Sequence, residues 1–252
     1  MRIVIIGSGN VATILGKIIK KASHEVVQVV SRDIENAKIL AGTLGCDFTS
    51  YDGAIQANSD IYLFAISDRA LLEIPATFNF GDKLVLHTAG SISMDVLQTV
   101  AKNYGILYPL QSLRKEMETI PEIPLLIEGN SRTVNEKIEN FANTLSSNVS
   151  FSNEDERSKL HLAAVVVCNF TNHLFAMTEE FCKKERIDFS KLHPIIQETA
   201  TRLSKRSASE LQTGPAMRND FVTIDKHLKM LNHYPSLKNL YLKITDSIIN
   251  NS

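Results

Sequence analysis

At 252 residues the chain is long for one compact core and sized for two. A formal net charge of −1, with lysines and arginines scattered apart from short clusters such as Lys183-Lys184-Glu185-Arg186 and Arg202-Leu203-Ser204-Lys205-Arg206, excludes the basic surface on which nucleic-acid binding rests. Three cysteines without redox or metal spacing fit a reducing cytoplasm, and no apolar stretch approaching the ~20 residues of a bilayer span is read, so neither a membrane nor a metal partner is expected.

The chain opens on an apolar strand, Arg2 to Ile6, that empties into Gly7-Ser8-Gly9-Asn10-Val11-Ala12 and then into a helix over Asn10 to Lys21. In this Gly-x-Gly-x-x-Ala turn Gly7 lets the backbone bend sharply off the strand. Gly9 removes a side chain so that backbone N–H groups approach phosphate oxygens, and Ala12 keeps the helix close to the sheet. The unpaired N–H groups and positive dipole end of the helix complete an expected pyrophosphate site. A second strand, Glu25 to Ser31, follows at the spacing of a strand-helix-strand unit.

The end of that strand selects the cofactor. An NAD site places a carboxylate there for the ribose hydroxyls, whereas a 2′-phosphate asks for small polar and basic groups. Ser31 and Arg32 suit the phosphate, so NADP is expected over NAD. Asp33 keeps NAD open, unless it serves only to cap the next helix.

That helix is expected over Asp33 to Leu44, with short or buried strands at Cys46 to Phe48, Asp60 to Ile66, Lys83 to His87, Gly105 to Tyr108, Pro124 to Glu128 and Asn148 to Phe151. A helix over Ser131 to Leu145 keeps the alternation going, which implies a doubly wound, mostly parallel α/β sheet. Beyond Ser152 the strands stop. Ser152-Asn153-Glu154-Asp155 reads as a capped start of a helix that meets no Gly or Pro before Arg186, and further helices are expected over Phe189 to Ser204, Pro215 to Leu231 and Ser236 to Ile249. The division is therefore a dinucleotide-binding domain over 1–152 and an all-helical domain over 153–252.

Three constellations could carry chemistry. The apolar run Leu160 to Met177 carries His161, Cys168, Asn169, Asn172 and His173, of which His161, Cys168 and Asn172 fall nearly in line on a helix expected to be buried. In Gln212-Thr213-Gly214-Pro215-Ala216-Met217-Arg218-Asn219-Asp220, Thr213 or Gly214 could cap a helix with Pro215 at its first position. Arg218 would then sit in the first turn of an anion site, or else simply pair with a carboxylate. His87-Thr88-Ala89-Gly90-Ser91 and Tyr108-Pro109-Leu110-Gln111-Ser112 both follow strands of the nucleotide domain, where His87 could act as a general acid or hold a turn. The remaining histidines, His24, His193, His227 and His233, have no metal-ligand spacing.

With these stretches in hand, the chain resembles the Rossmann-like NADP oxidoreductases that carry a C-terminal helical domain of unknown function. These are relatives of pyrroline-5-carboxylate reductase, of the 6-phosphogluconate and 3-hydroxyacid dehydrogenases, and of the deazaflavin-dependent NADP oxidoreductases. The resemblance spans essentially the whole chain and is carried by Ile6 to Ala12, His87 to Ser91, Tyr108 to Gln111, His161 to His173 and Gln212 to Asp220. It implies an NADP(H)-dependent oxidoreductase, dimerising through its helical lobe, with a small substrate between the lobes. The hydroxyacid dehydrogenases place a catalytic lysine on the interdomain helix, whereas this chain offers Asn169 and Asn172, with Lys159 two turns or more earlier. Their proton-transfer mechanism therefore does not carry over.

The expected reaction is hydride transfer between NADP(H) and a C=O or C=N group of a small metabolite, an anionic one being an option. Gly7, Ser8, Gly9, Asn10, Val11 and Ala12 would form the pyrophosphate turn, Ser31 and Arg32 would hold the 2′-phosphate, and Ser67 and Asp68 would approach the nicotinamide ribose. Asn169 would orient the reacting atom, His87 or His161 would supply the proton, and Asn172, Gln212, Thr213, Gly214 and Arg218 would contact the substrate. The alternative is a non-catalytic NADP(H)-binding dimer that responds to a ligand.

Overall fold

The computed structural model describes residues 1–74 and 78–251. Strand β1 (Arg2–Ile6) leads into helix α1 (Asn10–Lys21), whose buried face of Ala12, Ile14, Leu15 and Ile19 lies against the sheet while Lys17, Lys20 and Lys21 stand on the other side or at its C-terminal end. The chain continues through β2 (Glu25–Val30), α2 (Ile34–Leu44), β3 (Asp47–Thr49), β4 (Ile61–Phe64), the short α3 (Asp68–Leu72) and β5 (Leu84–His87). It goes on through β6 (Asn103–Pro109), β7 (Leu125–Gly129), α4 (Arg132–Leu145) and β8 (Val149–Phe151). The strand expected at Cys46 to Phe48 begins at Asp47, because Gly45 is left-handed (φ 66°) and the Cys46 N–H donates to Ala41 O, so that Cys46 closes α2.

Among the described residues one sheet of eight strands runs in the order β3-β2-β1-β4-β5-β6-β7-β8, with every neighbouring pair parallel except β6 and β7. Parallel strands covered on both faces have no reason to alternate polar and apolar residues, which is why β4 and β5 are buried at every position. One face carries the core of Ile3, Ile5, Leu63 and Leu86 with α1, α2 and α4, and the other packs Val4, Ile6 and Phe64 against Phe78 and Leu97. Strand order reverses between β1 and β4, and a parallel sheet leaves its ligand crevice at the carboxyl ends of such a pair.

Asn153 caps α5 (Glu154–Ala164), which passes through a π-helical turn, Val165–Phe170, into α6 (Thr171–Lys184). This helix of 31 residues is long and apolar enough to cross a membrane by length and composition, against the expectation that no such stretch exists. It is also exposed where a buried helix was expected: Leu162, Val166, Val167 and Phe170 face outward in the single chain. Its first turns are nonetheless fixed on protein, with Arg157 fully buried and Leu160 packed against Ile106, Tyr108 and Leu126.

Two compact units divide the chain, Met1–Cys168 and Asn169–Ser252, a division that lies inside the π-helical turn. The sheet unit keeps the first half of the helix because that half supplies Arg157, Leu160 and His161 to it. The second unit contains α6, α7 (His193–Arg202), α8 (Phe221–Met230) and α9 (Pro235–Asn251). The helix expected from Pro215 starts only at Phe221, capped by Asp220, whose carboxylate accepts from the N–H (3.0 Å) and Oγ1 (2.7 Å) of Thr223. Asn219 (φ 54°) explains the delay, since a left-handed residue inside the expected run interrupts it.

Candidate active site

The turn after β1 is built as the sequence required. Gly7 takes φ 125° and donates to Val30 O at 2.7 Å, and a Cβ placed on it would sit 2.1 Å from Ala65 O, so only glycine fits between β1 and β4. Gly9 differs. It caps α1 without any side-chain hydrogen bond, and a Cβ there would project into open space with nothing within 4 Å. Free first-turn amides under an open cradle are what a diphosphate needs. Ala12 has no exposed surface and packs α1 on the sheet.

A cavity of about 350 Å³ opens above this turn, lined by Gly7 to Val11, Ser31, Arg32 and Ser67. Ser8 Oγ and Ser31 Oγ share a hydrogen bond of 2.9 Å, and Arg32 is exposed with no carboxylate paired to it among the described residues. Asp33 is already engaged: its two oxygens accept from the Asn36 N–H (3.1 Å) and Nδ2 (2.7 Å) as the cap of α2. The carboxylate that kept NAD open is therefore spent on the helix, and the residues fit a 2′-phosphate. Tyr51, which the sequence reading missed, adds an aromatic wall. Burial raises its phenol pKa, and the Arg32 charge offsets this only in part. Asn10 turns its Oδ1 away to accept from the Lys115 N–H at 3.1 Å, tying the segment after β6 to the glycine turn. A larger groove of about 710 Å³, with Lys17, Lys21, Glu118 and Glu122 on its walls, lies at the C-terminal end of α1, away from the carboxyl ends of the strands.

The loop after β5 is clasped from several sides. His87 is fully buried, accepts the Ala89 N–H at Nδ1 (3.2 Å) and reaches Ser93 O through Nε2 (3.3 Å), which requires the proton on Nε2. Burial pushes its pKa down to about 4, the Ser93 carbonyl opposing the shift and the Arg157 charge adding to it. A neutral imidazole with both nitrogens engaged holds the loop, which does not fit the proton-donor role expected for His87. Its pH signature follows. Between pH 6.5 and pH 4 the unfolded chain binds a proton that the folded chain refuses, so stability is complete above pH 6.5 and is lost as pH falls toward 4. His87→Gln should remove roughly 2 kcal/mol of the stability difference between pH 7.5 and pH 5, read from urea unfolding at both values.

Ser67 Oγ caps α3 through the Ala70 N–H (3.4 Å), and Asp68 accepts from Ser91 Oγ at 2.7 Å, joining the loops after β4 and β5. Behind the loop lies Arg157, a residue the sequence reading did not single out. Its guanidinium donates to Glu128 Oε2 (2.5 Å), Ile92 O (3.2 Å) and Ser152 O (3.4 Å). Its position four residues before His161, in line with Leu160 and Ala164, is the helical spacing that could have revealed it.

In front of the loop, Tyr108 Oη and His161 Nδ1 lie 2.9 Å apart, with the two rings edge-on at 5.9 Å. A Cβ on Gly90 would fall 2.8 Å from Tyr108 Cζ and 2.9 Å from His161 Nδ1, so the missing side chain lets the loop backbone rest on both rings. Tyr108 is 8% exposed, and burial raises its pKa above the ordinary phenol value, with the Asp68 carboxylate adding to the rise and Arg157 opposing it.

The structure thus gathers His87, Asp68 and His161 of the expected site around Tyr108 and Arg157. The expected cofactor residues lie around the glycine turn of the same unit, and the remaining expected catalytic and substrate residues belong to the helical unit. Asn169, Asn172 and His173 are exposed on the π turn and α6, and Arg218 is exposed in the turns before α8, so no helix N-terminus forms around it as expected. Gln212 donates through Nε2 to Thr213 O (2.9 Å). Thr213 and Gly214 border an apolar cavity of about 300 Å³ in the same unit, where His227 Nδ1 meets Tyr241 Oη at 3.0 Å.

The family model for NADP oxidoreductases of the coenzyme F420-dependent type matches residues 2–90, and the domain of unknown function DUF2520 matches residues 123–248. No curated protein matches the chain. A Bacteroides fragilis protein named as an NADP oxidoreductase has 36% identity and a TM-score of 0.92, over 99% of this chain and 98% of that one. A pyrroline-5-carboxylate reductase from Streptococcus pyogenes (16% identity, TM-score 0.64, 99% and 98% covered) shares the fold. So does a reductive aminase from Aspergillus terreus solved with NADPH and ethyl-5-oxohexanoate (15% identity, TM-score 0.73, 100% and 94% covered). Cradle, phosphate-side residues and full-length likeness agree: the chain belongs to the family of Rossmann-type NADP oxidoreductases with a C-terminal DUF2520 domain.

Proposed function

We propose that this oxidoreductase exchanges hydride between NADP(H) and a C=O or C=N group of a small metabolite. The observation that carries the reading is the open backbone cradle at Gly9 beside an exposed Arg32 that no carboxylate among the described residues pairs, with Asp33 withdrawn into a helix cap. When bound, the nicotinamide supplies the hydride; the chain's own residues bind, orient and manage the proton. The amides of the turn hold the diphosphate, Ser31 and Arg32 hold the 2′-phosphate, and Ser67 and Asp68 lie toward the ribose. Asn169, Asn172, Gln212, Thr213, Gly214 and Arg218 remain the substrate-facing set of this reading, with Asn169 orienting the reacting atom. The chain works as a cytoplasmic homodimer. The reducing setting agrees with three free cysteines, and a second copy is the occupant expected for the apolar face of Leu162, Val167 and Phe170, which the solution mass tests.

Calorimetry with NADPH and NADH tests the cofactor, and a panel of imines and keto acids scored by loss of reduced-nicotinamide absorbance tests the reaction. Arg32→Ala should weaken NADPH by about 1.5–3 kcal/mol, roughly 10- to 150-fold, and leave NADH unchanged. Equal weakening of both would show that the 2′-phosphate lies elsewhere. Tight NADPH binding with no consumption across the panel would favour a binding protein over an enzyme.

A further inference from the structure

Reduction of a C=O or C=N group takes up one proton for each hydride, and the donors expected from the sequence do not all qualify. His87 is sealed in its loop with both nitrogens engaged, and Asp68 is an acceptor for Ser91. What remains at this edge of the sheet is the hydrogen-bonded pair in front of the loop. We propose that Tyr108 is the catalytic proton donor of the sheet unit and that His161, through Nδ1, is the positioning residue that resupplies it.

Placement is the first argument. Strands β5 and β6 run parallel with His87 opposite Ile106, so Tyr108 lies two residues past the end of β5. It therefore shares the carboxyl edge with the Gly7 turn and with Ser67 and Asp68, where the ligand of a doubly wound sheet collects. The Ser91 to Asp68 bond ties the loops after β4 and β5 together, and the Lys115 to Asn10 bond ties the segment after β6 to the glycine turn. The same edge therefore frames both the phosphate cradle and the phenol.

The second argument is construction. Gly90 has no Cβ where one would collide with both rings, a packing demand that fixes the pair against the loop. Asp68 from the β4 side and Arg157 from α5 are the charged groups felt at the phenol. The carboxylate disfavours phenolate and the guanidinium favours it, while burial keeps Tyr108 protonated. His161 is half-buried, and its Nε2 makes no hydrogen bond among the described residues, which leaves that nitrogen for exchange with water.

The proton balance closes. As the substrate carbon gains hydride, its oxygen or nitrogen takes the Tyr108 Oη proton and the Oη–H bond breaks. The phenolate oxygen takes the Nδ1 proton of His161 and Nε2 takes one from water, giving the other neutral tautomer; exchange with water, Nε2 losing a proton and Nδ1 regaining one, restores the starting tautomer before the next turnover. One solvent proton is consumed per hydride, and oxidation runs the same path backward.

This inference rests on the reading of the chain as an NADP(H) enzyme, and the test separates the two. The six tyrosines are titrated by near-ultraviolet difference absorbance in the full chain and in Tyr108→Phe, with NADP⁺, with NADPH and with neither. The difference between the two proteins isolates Tyr108. A cationic nicotinamide beside the phenol should lower its titration midpoint by at least about one pH unit, and NADPH should not. On any substrate the panel yields, Tyr108→Phe should cost about 10²- to 10⁴-fold in kcat with KM and NADPH affinity little changed. His161→Gln should lose less, shift the pH profile, and recover with added imidazole. Failure to bind any pyridine nucleotide would sink the parent reading and this one with it. Binding that leaves the Tyr108 titration unmoved, or turnover that survives Tyr108→Phe, would overturn the donor assignment alone.

Discussion

Arg157→Met should lower the unfolding free energy of the sheet unit by about 3–5 kcal/mol, the cost of leaving a buried ion pair half-made. Arg157 has no exposed surface, and Glu128 opposite it has a side chain only 14% exposed, so water cannot take over the lost contact. The same substitution strips a donor from Ile92 O and from Ser152 O, which lie in different segments of the chain. At roughly 2–4 °C per kcal/mol for a unit of this size, the melting temperature should fall by about 6–20 °C. Arg157 Nε is buried without a partner among the described residues, so the wild-type pair is imperfectly solvated by the protein. The double variant Glu128→Gln with Arg157→Met should therefore recover part of the loss, because no uncompensated charge remains. A single-variant loss below about 1 kcal/mol in chemical unfolding would show that the guanidinium escapes to solvent and does not hold the loop after β5.

The contrast between Arg157 and the glycine turn marks what the sequence can disclose. Gly7, Gly9 and Ala12 act through backbone geometry within a few residues of each other, so their spacing alone states the requirement, and the strands around them announce themselves as unbroken apolar runs. Arg157 follows the capped helix start at Ser152-Asn153-Glu154-Asp155 and does not stand out there, because its burial depends on Glu128, 29 residues away on β7. Tyr108 and His161 are 53 residues apart and meet only because β6 and α5 converge on Gly90. Each appeared in a separate motif, and nothing local links them. The helix expected from Pro215 failed for a local reason that types alone do not reveal: Pro215 suits a first turn, yet Asn219 adopts φ 54° and Asp220 is the better cap. The polar stripe over His161 to Asn172 was read as buried because its neighbours are apolar. A single chain leaves that face open, and the π turn also changes its register.

Gly7→Ala and Gly9→Ala should separate folding from binding within one turn. At Gly7 a methyl group would meet the Ala65 carbonyl oxygen at 2.1 Å, with the residue held at φ 125° where side chains are strained. Relief would require breaking the Gly7 N–H to Val30 O bond (2.7 Å) or the Ala65 N–H to Ile6 O bond (2.8 Å), which join β1 to its two neighbours. The expected cost exceeds about 3 kcal/mol, and NADPH binding should vanish with the turn. At Gly9, φ is −85° and the added methyl touches nothing, so the loss should stay within about 1 kcal/mol, the difference between glycine and alanine as a helix cap. That methyl nonetheless occupies the space through which phosphate oxygens reach the first-turn amides, and NADPH affinity should fall at least 10-fold, about 1.4 kcal/mol or more, by calorimetry. A stable Gly9→Ala protein that binds NADPH as tightly as the wild type would place the diphosphate away from α1, and the assignments of Ser31, Arg32 and Tyr108 that depend on that anchor would have to be withdrawn.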